Sequence, residues 1–309
     1  MTLAAGIDVG GTKCLGVVVD DTGAIVREGR LPTPKGAHSI IDTLARLAGD
    51  LAPYDTLGIG VPGLVTRTGV LRAAPNLVDI RDFAVGPLLS ERLGHQVFVD
   101  NDATCAMAAE WRLGAARGAA DVVIVTLGTG IGGGIVAGNR LQRGAHGFTG
   151  EIGHILVDPD GPPCPCGRNG CWERFASGSG LARLAREAAV GKRLRHVVEL
   201  AGGEADQVRG EHVQDAALAG DPEAHAVIDA FGKWVAIGLV NLTNILDPEL
   251  FVLGGGLAKS PALYLGPIAR WFNQLLYAPD LRPHPRLLFA ELGERAGAIG
   301  ASLLHNVQE

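Results

Sequence analysis

Short apolar runs and helical stripes alternate along the chain. GIDVGG (6–11) and CLGVVVD (14–20) are β-branched runs. The turn residues Asp20-Asp21-Thr22-Gly23 separate them from AIVREGRL (24–31), so the chain opens as a meander of adjacent strands. Ser39 to Leu51 then places Ile40, Leu44, Leu47 and Leu51 at helical spacing. A strand at LGIGVPG (57–63) follows, and VFVD (97–100) leads into a helix from about Asp102 to Leu113. The pattern restarts with VVIVTLG (122–128) and GGIVAG (133–138), two strands around a glycine-rich turn.

Gly144 to Gly180 reads as irregular. Asp221-Pro222 has N-cap and first-turn chemistry and opens a long helix with Val227, Phe231, Val235, Gly238, Leu242 and Leu246 on one face. That helix stops at Asp247-Pro248. The strand LFVLGGG (250–256), a helix to about Tyr277, the strand RLLFAEL (286–292) and a final helix, Ala296 to Leu304, complete the order. Each half thus begins strand, glycine turn, strand and continues in α/β alternation. This predicts a duplicated α/β domain with a cleft between the halves.

Composition narrows the class. Of 309 residues 45 are glycine, about twice the average usage, yet no G-x-y period runs through them and 47% of residues are hydrophobic. Fibres and disorder are excluded, and the glycines must serve tight turns and close approaches. The net charge is −6 with no basic cluster, which argues against nucleic acid or an anionic membrane as partner. Val122–Asn139 is uncharged for 18 residues, but six of them are glycine; Trp234–Leu246 is uncharged for only 13. Neither reads as a membrane span. Five cysteines, an odd number, and no signal-peptide pattern fit a reducing cytoplasm.

Two glycine turns come close to phosphate motifs. Gly6-x4-Gly11-Thr12-Lys13 inverts the Walker order and leads into a strand; Gly128-Thr129-Gly130-Ile131-Gly132-Gly133 holds a formal GxGxxG but also continues as a strand. Each is a hairpin turn whose backbone N–H groups can form an anion nest, with Thr12, Lys13 and Thr129 adding donors. The alternative for either turn is a tight hairpin and nothing more.

His154, Cys164, Cys166 and Cys171 form H-x9-C-x-C-x4-C, a set that matches a closed, structural Cys3His zinc site; the alternative is unpaired thiols in a loop. Cys14 and Cys105 lack such partners and read as core cysteines. Glu151 and Glu173 flank the set. A zinc-bound histidine needs an acceptor for its second nitrogen, and glutamates on a braced loop can grip hydroxyls, although surface or capping roles are the default for either alone. Asn101-Asp102 follow a strand end, where open α/β sheets place ligands. On spacing alone the default reading of Asp102 is a helix N-cap, and a functional reading needs support from elsewhere in the chain.

Together, DVGGTK (8–13), GVPG (60–63), VDNDA (99–103), TLGTGIGGG (126–134), EIGH (151–154), CPCGRNGCWE (164–173) and LGGG (253–256) resemble the successive motifs of ROK-family sugar kinases, and within them the ATP-dependent bacterial glucokinases. The resemblance covers essentially the whole chain. It implies a two-lobed actin/hexokinase-like (ribonuclease H-like) α/β fold with a zinc-braced loop, closing over sugar and nucleotide. The N-terminal lobe would span 1–116, with the final helix, about 296–309, packing back on it; the C-terminal lobe would span 117–295.

The resemblance also implies roles. Asp102 would be the general base for the glucose 6-hydroxyl and a sugar contact. Asn101, Glu151, His154 and Glu173, with backbone at Gly63, would hold the other hydroxyls. Gly10, Gly11, Thr12 and Lys13, with Gly128, Thr129 and Gly130, would cradle the phosphates of ATP. Asp8 would sit near Mg2+, and Gly255 and Gly256 would flank the adenosine. Zn2+ would be held by His154, Cys164, Cys166 and Cys171, and the chain would form a homodimer or homotetramer.

Regulators of this family carry a helix-turn-helix domain before the first glycine motif, for which the seven residues ahead of Asp8 leave no room. The stretch 76–88 near the sugar matches no single specificity group, and Asn76 is its one offered contact. Other hexoses (N-acetylglucosamine, N-acetylmannosamine, mannose or fructose) remain open as acceptors, as does polyphosphate as donor, although the intact LGGG favours a nucleotide. A non-catalytic sugar sensor is the alternative from another class.

Overall fold

The computed structural model describes residues 2–74, 81–191 and 193–307. Asn76 therefore lies outside the described residues. The opening meander is β1 (Ala4–Val9), β2 (Lys13–Val19) and β3 (Ile25–Pro32), antiparallel in sequence order. Helix α1 (Ala37–Leu51) buries Ile40, Leu44, Leu47 and Leu51, the expected stripe. Strand β4 (Thr56–Val61) runs parallel to β1. A small sheet of β5 (Leu64–Val65), β6 (Leu71–Ala73) and β7 (Arg81–Phe83) follows, then α2 (Val85–Leu93), β8 (Val97–Asn101) and α3 (Asp102–Leu113). β8 pairs in parallel with β4, placing Asn101 beside Val61.

The second half repeats the plan. Strands β9 (Val122–Leu127), β10 (Ile131–Ala137) and β11 (Arg140–Leu141) lead to the loop at 142–172 and to α4 (Glu173–Ala176) and α5 (Gly178–Ala188). Then come α6 (Arg195–Leu200), α7 (Gly210–Leu218), α8 (Pro222–Leu246), β12 (Leu250–Gly254), α9 (Pro261–Leu275), β13 (Arg286–Phe289) and α10 (Ala296–Ser302). The first sheet has the order β3-β2-β1-β4-β8 and the second β11-β10-β9-β12-β13. Within each, the chain visits the strands in the same sequence, so the duplication legible in the strand–turn–strand openings is real. The fold is the two-lobed actin/hexokinase-like α/β fold.

Two compact units emerge: residues 1–124, 133–150 and 290–309, and residues 125–132 and 151–289. In the first, Ile7, Val9, Val18, Leu57, Ile59 and Val99 form a continuous core with α1 and α2. Helix α10 packs on α3 and β1 so closely that a Cβ at Gly6 would lie 2.0 Å from the Ala298 carbonyl oxygen. The second unit is built around α8. Asp221 caps it by accepting from Glu223 and Ala224 N–H, and Val227, Phe231, Val235, Gly238 and Leu242 are buried. Among the described residues α8 is the one helix long and apolar enough to cross a membrane, and most of it is buried inside the protein.

Differences from expectation sit in short elements. The irregular stretch 144–180 contains α4 and the start of α5, and α2, α6, α7 and the β5–β6–β7 sheet carry too few periodic positions to be read. The strand expected over 286–292 ends at Phe289, and the helix expected to reach Tyr277 ends at Leu275.

Candidate functional site

The first unit gathers acids at the end of β8. Asn101, and not Asp102, is the N-cap of α3: its side-chain oxygen accepts from Ala103 and Thr104 N–H at 2.9 and 3.1 Å. The capping alternative for Asp102 is thereby corrected, because the chain turns helical one residue earlier than that reading required. Asn101 also donates through Nδ2 to the Gly63 carbonyl at 3.1 Å. Gly63 sits at φ +104°, and a Cβ there would lie 2.2 Å from the Ala73 carbonyl oxygen, so no other residue fits. One asparagine thus fixes both a helix start and the sharp turn after β4.

Asp102 occupies the first turn of α3, half-buried, and accepts from Ala103 N–H at 2.8 Å. Burial raises its pKa above the usual carboxylate range, while the backbone N–H groups at the helix start pull the other way. Asp8 on β1 feels the same field. Burial first, then the negative charge of Asp102, lift it to about 7, against the opposing pull of Lys13. A Cβ at Gly297 would meet the Asp8 carboxylate at 2.7 Å, so glycine at that position makes room for the acid. Two carboxylates raised by burial and by proximity are an unfavourable pair that a divalent cation would relieve, so the residues present fit a magnesium ion near Asp8.

Sequence reasoning missed Asp100 and Arg143. Asp100 is 1% exposed, and Arg143 Nε lies 2.7 Å from its Oδ2. The first glycine turn is held by Gly10 N–H donating to the Lys13 carbonyl and by Thr33 Oγ1 donating to the Gly10 carbonyl. A Cβ at Gly11 would meet nothing within 4 Å, so the turn faces open space. Lys13, expected to meet phosphate, pairs with Glu294 at 2.6 Å on the surface.

The second unit holds the other cluster. The ligand atoms of His154, Cys164, Cys166 and Cys171 all lie within 4.8 Å of one another. Cys166 and Cys171 sulfurs are 3.5 Å apart, and Cys164 Sγ is 3.8 Å from His154 Nδ1. Three thiols and one imidazole at these separations suit a tetrahedral zinc ion, whose bonds to sulfur are about 2.3 Å long. Burial pushes the Cys164, Cys166 and Cys171 thiols up, but at Cys166 hydrogen bonds from Arg168 and the neighbouring thiols outweigh it and lower the thiol to about 6. With Nδ1 turned to the thiols, His154 Nε2 lies 3.9 Å from Glu151 Oε2, the acceptor expected for its second nitrogen.

Glu173 joins the zinc cluster to the second glycine turn. Its Oε1 accepts from the Cys164 thiol at 3.2 Å, and its Oε2 accepts from Ile131 N–H at 3.4 Å. A Cβ at Gly130 would lie 2.7 Å from that oxygen. The turn is pinned from below by Gly178 N–H to the Gly128 carbonyl and Ser179 Oγ to the Thr129 carbonyl. Trp172, fully buried between Cys171 and Glu173, donates to the Trp234 carbonyl on α8 at 2.8 Å. Gly255, at φ +83°, packs on the Leu127 backbone at the end of β9, and Gly256 beside it is open.

The ROK family model matches residues 4–308, and the chain belongs to the ROK family. It is 37% identical to a glucokinase of Streptomyces coelicolor over 98% of this chain and 97% of that one. Among solved structures it resembles a ROK family glucokinase from Streptomyces griseus in complex with glucose and AMPPNP, with TM-score 0.88 and 38% identity over 98% of both chains. It also resembles a ROK hexokinase from Thermus thermophilus, with TM-score 0.81 and 34% identity over 98% of this chain and 97% of that one.

Proposed function

We propose that this chain transfers the γ-phosphoryl group of ATP to the 6-hydroxyl of D-glucose, giving glucose 6-phosphate and ADP. The observation that carries the reading is Asp102, a carboxylate in the first turn of α3 whose cap position is filled by Asn101 and whose proton affinity is raised by burial. A carboxylate with a raised pKa takes the hydroxyl proton more readily. The sugar oxygen attacks the γ-phosphorus as Asp102 receives its proton, and the bond to the β-phosphate oxygen breaks to release ADP. The likeness to proteins named glucokinase, one of them bound to glucose and AMPPNP, supports this reading.

Around that step, Asn101, Glu151, His154 and Glu173, with the backbone at Gly63, hold the remaining hydroxyls. Gly10, Gly11, Thr12 and Lys13 and the turn Gly128-Thr129-Gly130 cradle phosphates, with Lys13 leaving Glu294 to do so. Gly255 and Gly256 flank the adenosine. Magnesium, when bound near Asp8, neutralises charge on the phosphates. Zinc in the Cys3His site stiffens the loop that carries Glu151 and Glu173 and takes no part in the chemistry. The chain acts on small molecules in the cytoplasm as a homodimer or homotetramer, without nucleic acid or membrane; light scattering on the purified protein checks its assembly.

The test is a coupled assay with glucose and Mg-ATP, extended to a panel of hexoses and to polyphosphate. Glucose with ATP is expected to give the highest kcat/KM. A second reading, a kinase with broader hexose choice, draws on the likeness to a hexokinase and predicts comparable kcat/KM for mannose or fructose. Sugar binding with no turnover of any hexose would overturn both.

A further inference from the structure

The two glycine turns are braced in the same manner, one in each half of the duplication. In the first, Gly10 N–H donates to the Lys13 carbonyl at 2.9 Å. Thr33, just past β3, donates its hydroxyl to the Gly10 carbonyl at 2.6 Å, and its N–H holds the Thr12 carbonyl at 3.1 Å. In the second, Gly128 N–H donates to the Gly130 carbonyl at 3.0 Å. Ser179, in the first turn of α5, donates its hydroxyl to the Thr129 carbonyl at 2.8 Å, and Gly178 N–H holds the Gly128 carbonyl at 2.7 Å.

The peptide bonds of both turns are trans, so each N–H points away from the carbonyl oxygen of its own peptide. Holding the Gly10 carbonyl therefore turns Gly11 N–H to the opposite side. Holding the Gly128 and Thr129 carbonyls does the same for Thr129 and Gly130 N–H. Among the described residues these three N–H groups have no acceptor, whereas the next two, on Ile131 and Gly132, go to Glu173 Oε2 and Thr126 Oγ1. Successive unused N–H groups, as at Thr129 and Gly130, are what an anion nest requires. Gly11 and Thr129 are exposed, so an incoming anion can reach them.

The hydroxyls are themselves fixed. The single hydroxyl proton of Thr33 goes to Gly10, so Cys14, whose Sγ lies 3.6 Å from Thr33 Oγ1, is the donor in that contact. Burial raises the pKa of the Cys14 thiol and keeps its proton in place. Ser179 stands on backbone already ordered by the helix, whose N-cap Ser177 accepts from Gly180 N–H.

We infer that Thr33 and Ser179 are positioning residues for the phosphoryl donor: by holding the turn carbonyls, each hydroxyl aims the adjoining N–H at phosphate oxygens of ATP. The inference rests on the reading of both turns as phosphate cradles and adds the side chains that preset them. Neither hydroxyl touches the nucleotide in this scheme.

Thr33→Val and Ser179→Ala remove the hydroxyls, and calorimetric titration with Mg-ATP, adenosine and glucose separates positioning from packing. Each variant is expected to weaken Mg-ATP binding by about 10-fold, the scale of one hydrogen bond to a charged group. Affinities for adenosine, which has no phosphate, and for glucose should not move. Thr33→Ser, which keeps the hydroxyl, should bind Mg-ATP as the wild type does. A loss shared equally by Mg-ATP and adenosine, or a loss of stability with Mg-ATP affinity intact, marks a purely structural bond and would overturn the inference. Should Thr33→Val fail to fold, Ser179→Ala decides, since alanine suits that helical position. A wild type that binds Mg-ATP but phosphorylates no hexose would reject the sugar-kinase reading and leave these affinities to judge the two hydroxyls. One that binds no Mg-ATP would overturn the inference itself.

Discussion

The Asp102 corner and the zinc loop are both polar and rich in glycine, yet they are held by opposite means. At Asp102 most restraints are built into regular structure, namely a parallel strand pair, an asparagine cap and a helix start, and a buried ion pair to Arg143 adds to them. In the loop at 154–173 regular structure is nearly absent, and four side chains converge on a point that a metal ion would occupy. The difference teaches where each region can yield. The corner fixes one carboxylate at low entropic cost because the sheet and helix are already ordered. Backbone hydrogen bonds such as Trp172 N–H to the Ile155 carbonyl shape the loop, but its one large buried side chain is Trp172, so it leans on the metal and on α8 for the rest of its order.

Breaking the loop should therefore have the larger effect at a distance from the break. Stripping zinc with a strong chelator, or Cys171→Ser, is expected to lower kcat/KM for glucose by about 100-fold, the scale of a ~1 Å misplacement of binding groups. Metal content and steady-state kinetics check this together. Gly238→Ala attacks the other support, because its Cβ would lie 1.9 Å from the Trp172 ring. A loss of about 1–3 kcal/mol in urea unfolding is expected.

At the corner the effects are electrostatic. The Asp8 pKa is raised to about 7 in the folded metal-free protein, against an ordinary value of 3.8 when unfolded. The folded state thus holds the proton more tightly, and this contribution to stability is full below pH 4 and lost as pH rises through 7. Asp8→Asn should flatten that part of the urea midpoint profile, and saturating Mg-ATP should flatten it in the wild type. The smallest effect is expected at Glu294, an exposed partner of Lys13. Glu294→Ala should leave the thermal midpoint unchanged and slightly lower KM for ATP by freeing Lys13, which thermal unfolding and steady-state kinetics check.

Much of this was legible in the sequence where the signal was local. Asp221-Pro222 announced α8, the stripe Ile40, Leu44, Leu47, Leu51 announced α1, and the cysteine spacing announced a cluster that the fold does assemble. The repeated strand–turn–strand announced two sheets of like strand order. What was hidden depends on distant partners. Nothing near Arg143 shows that it meets Asp100, 43 positions earlier, and nothing at Lys13 shows Glu294. The choice of cap between Asn101 and Asp102 turns on one residue of helix boundary, which side-chain chemistry alone leaves balanced because both residues are good caps. Strands of two or three residues such as β5 to β7 offer too few positions for a period to register.

The central claim is that Asp102 takes the proton of the sugar hydroxyl, while the other hydroxyl contacts supply most of the sugar affinity. It is tested most directly by measuring glucose affinity and kcat side by side for the wild type and Asp102→Asn. The account predicts near wild-type glucose binding with kcat lowered by about 1,000-fold. A variant that keeps more than about a tenth of wild-type kcat, well above the loss expected for a missing base, would contradict it.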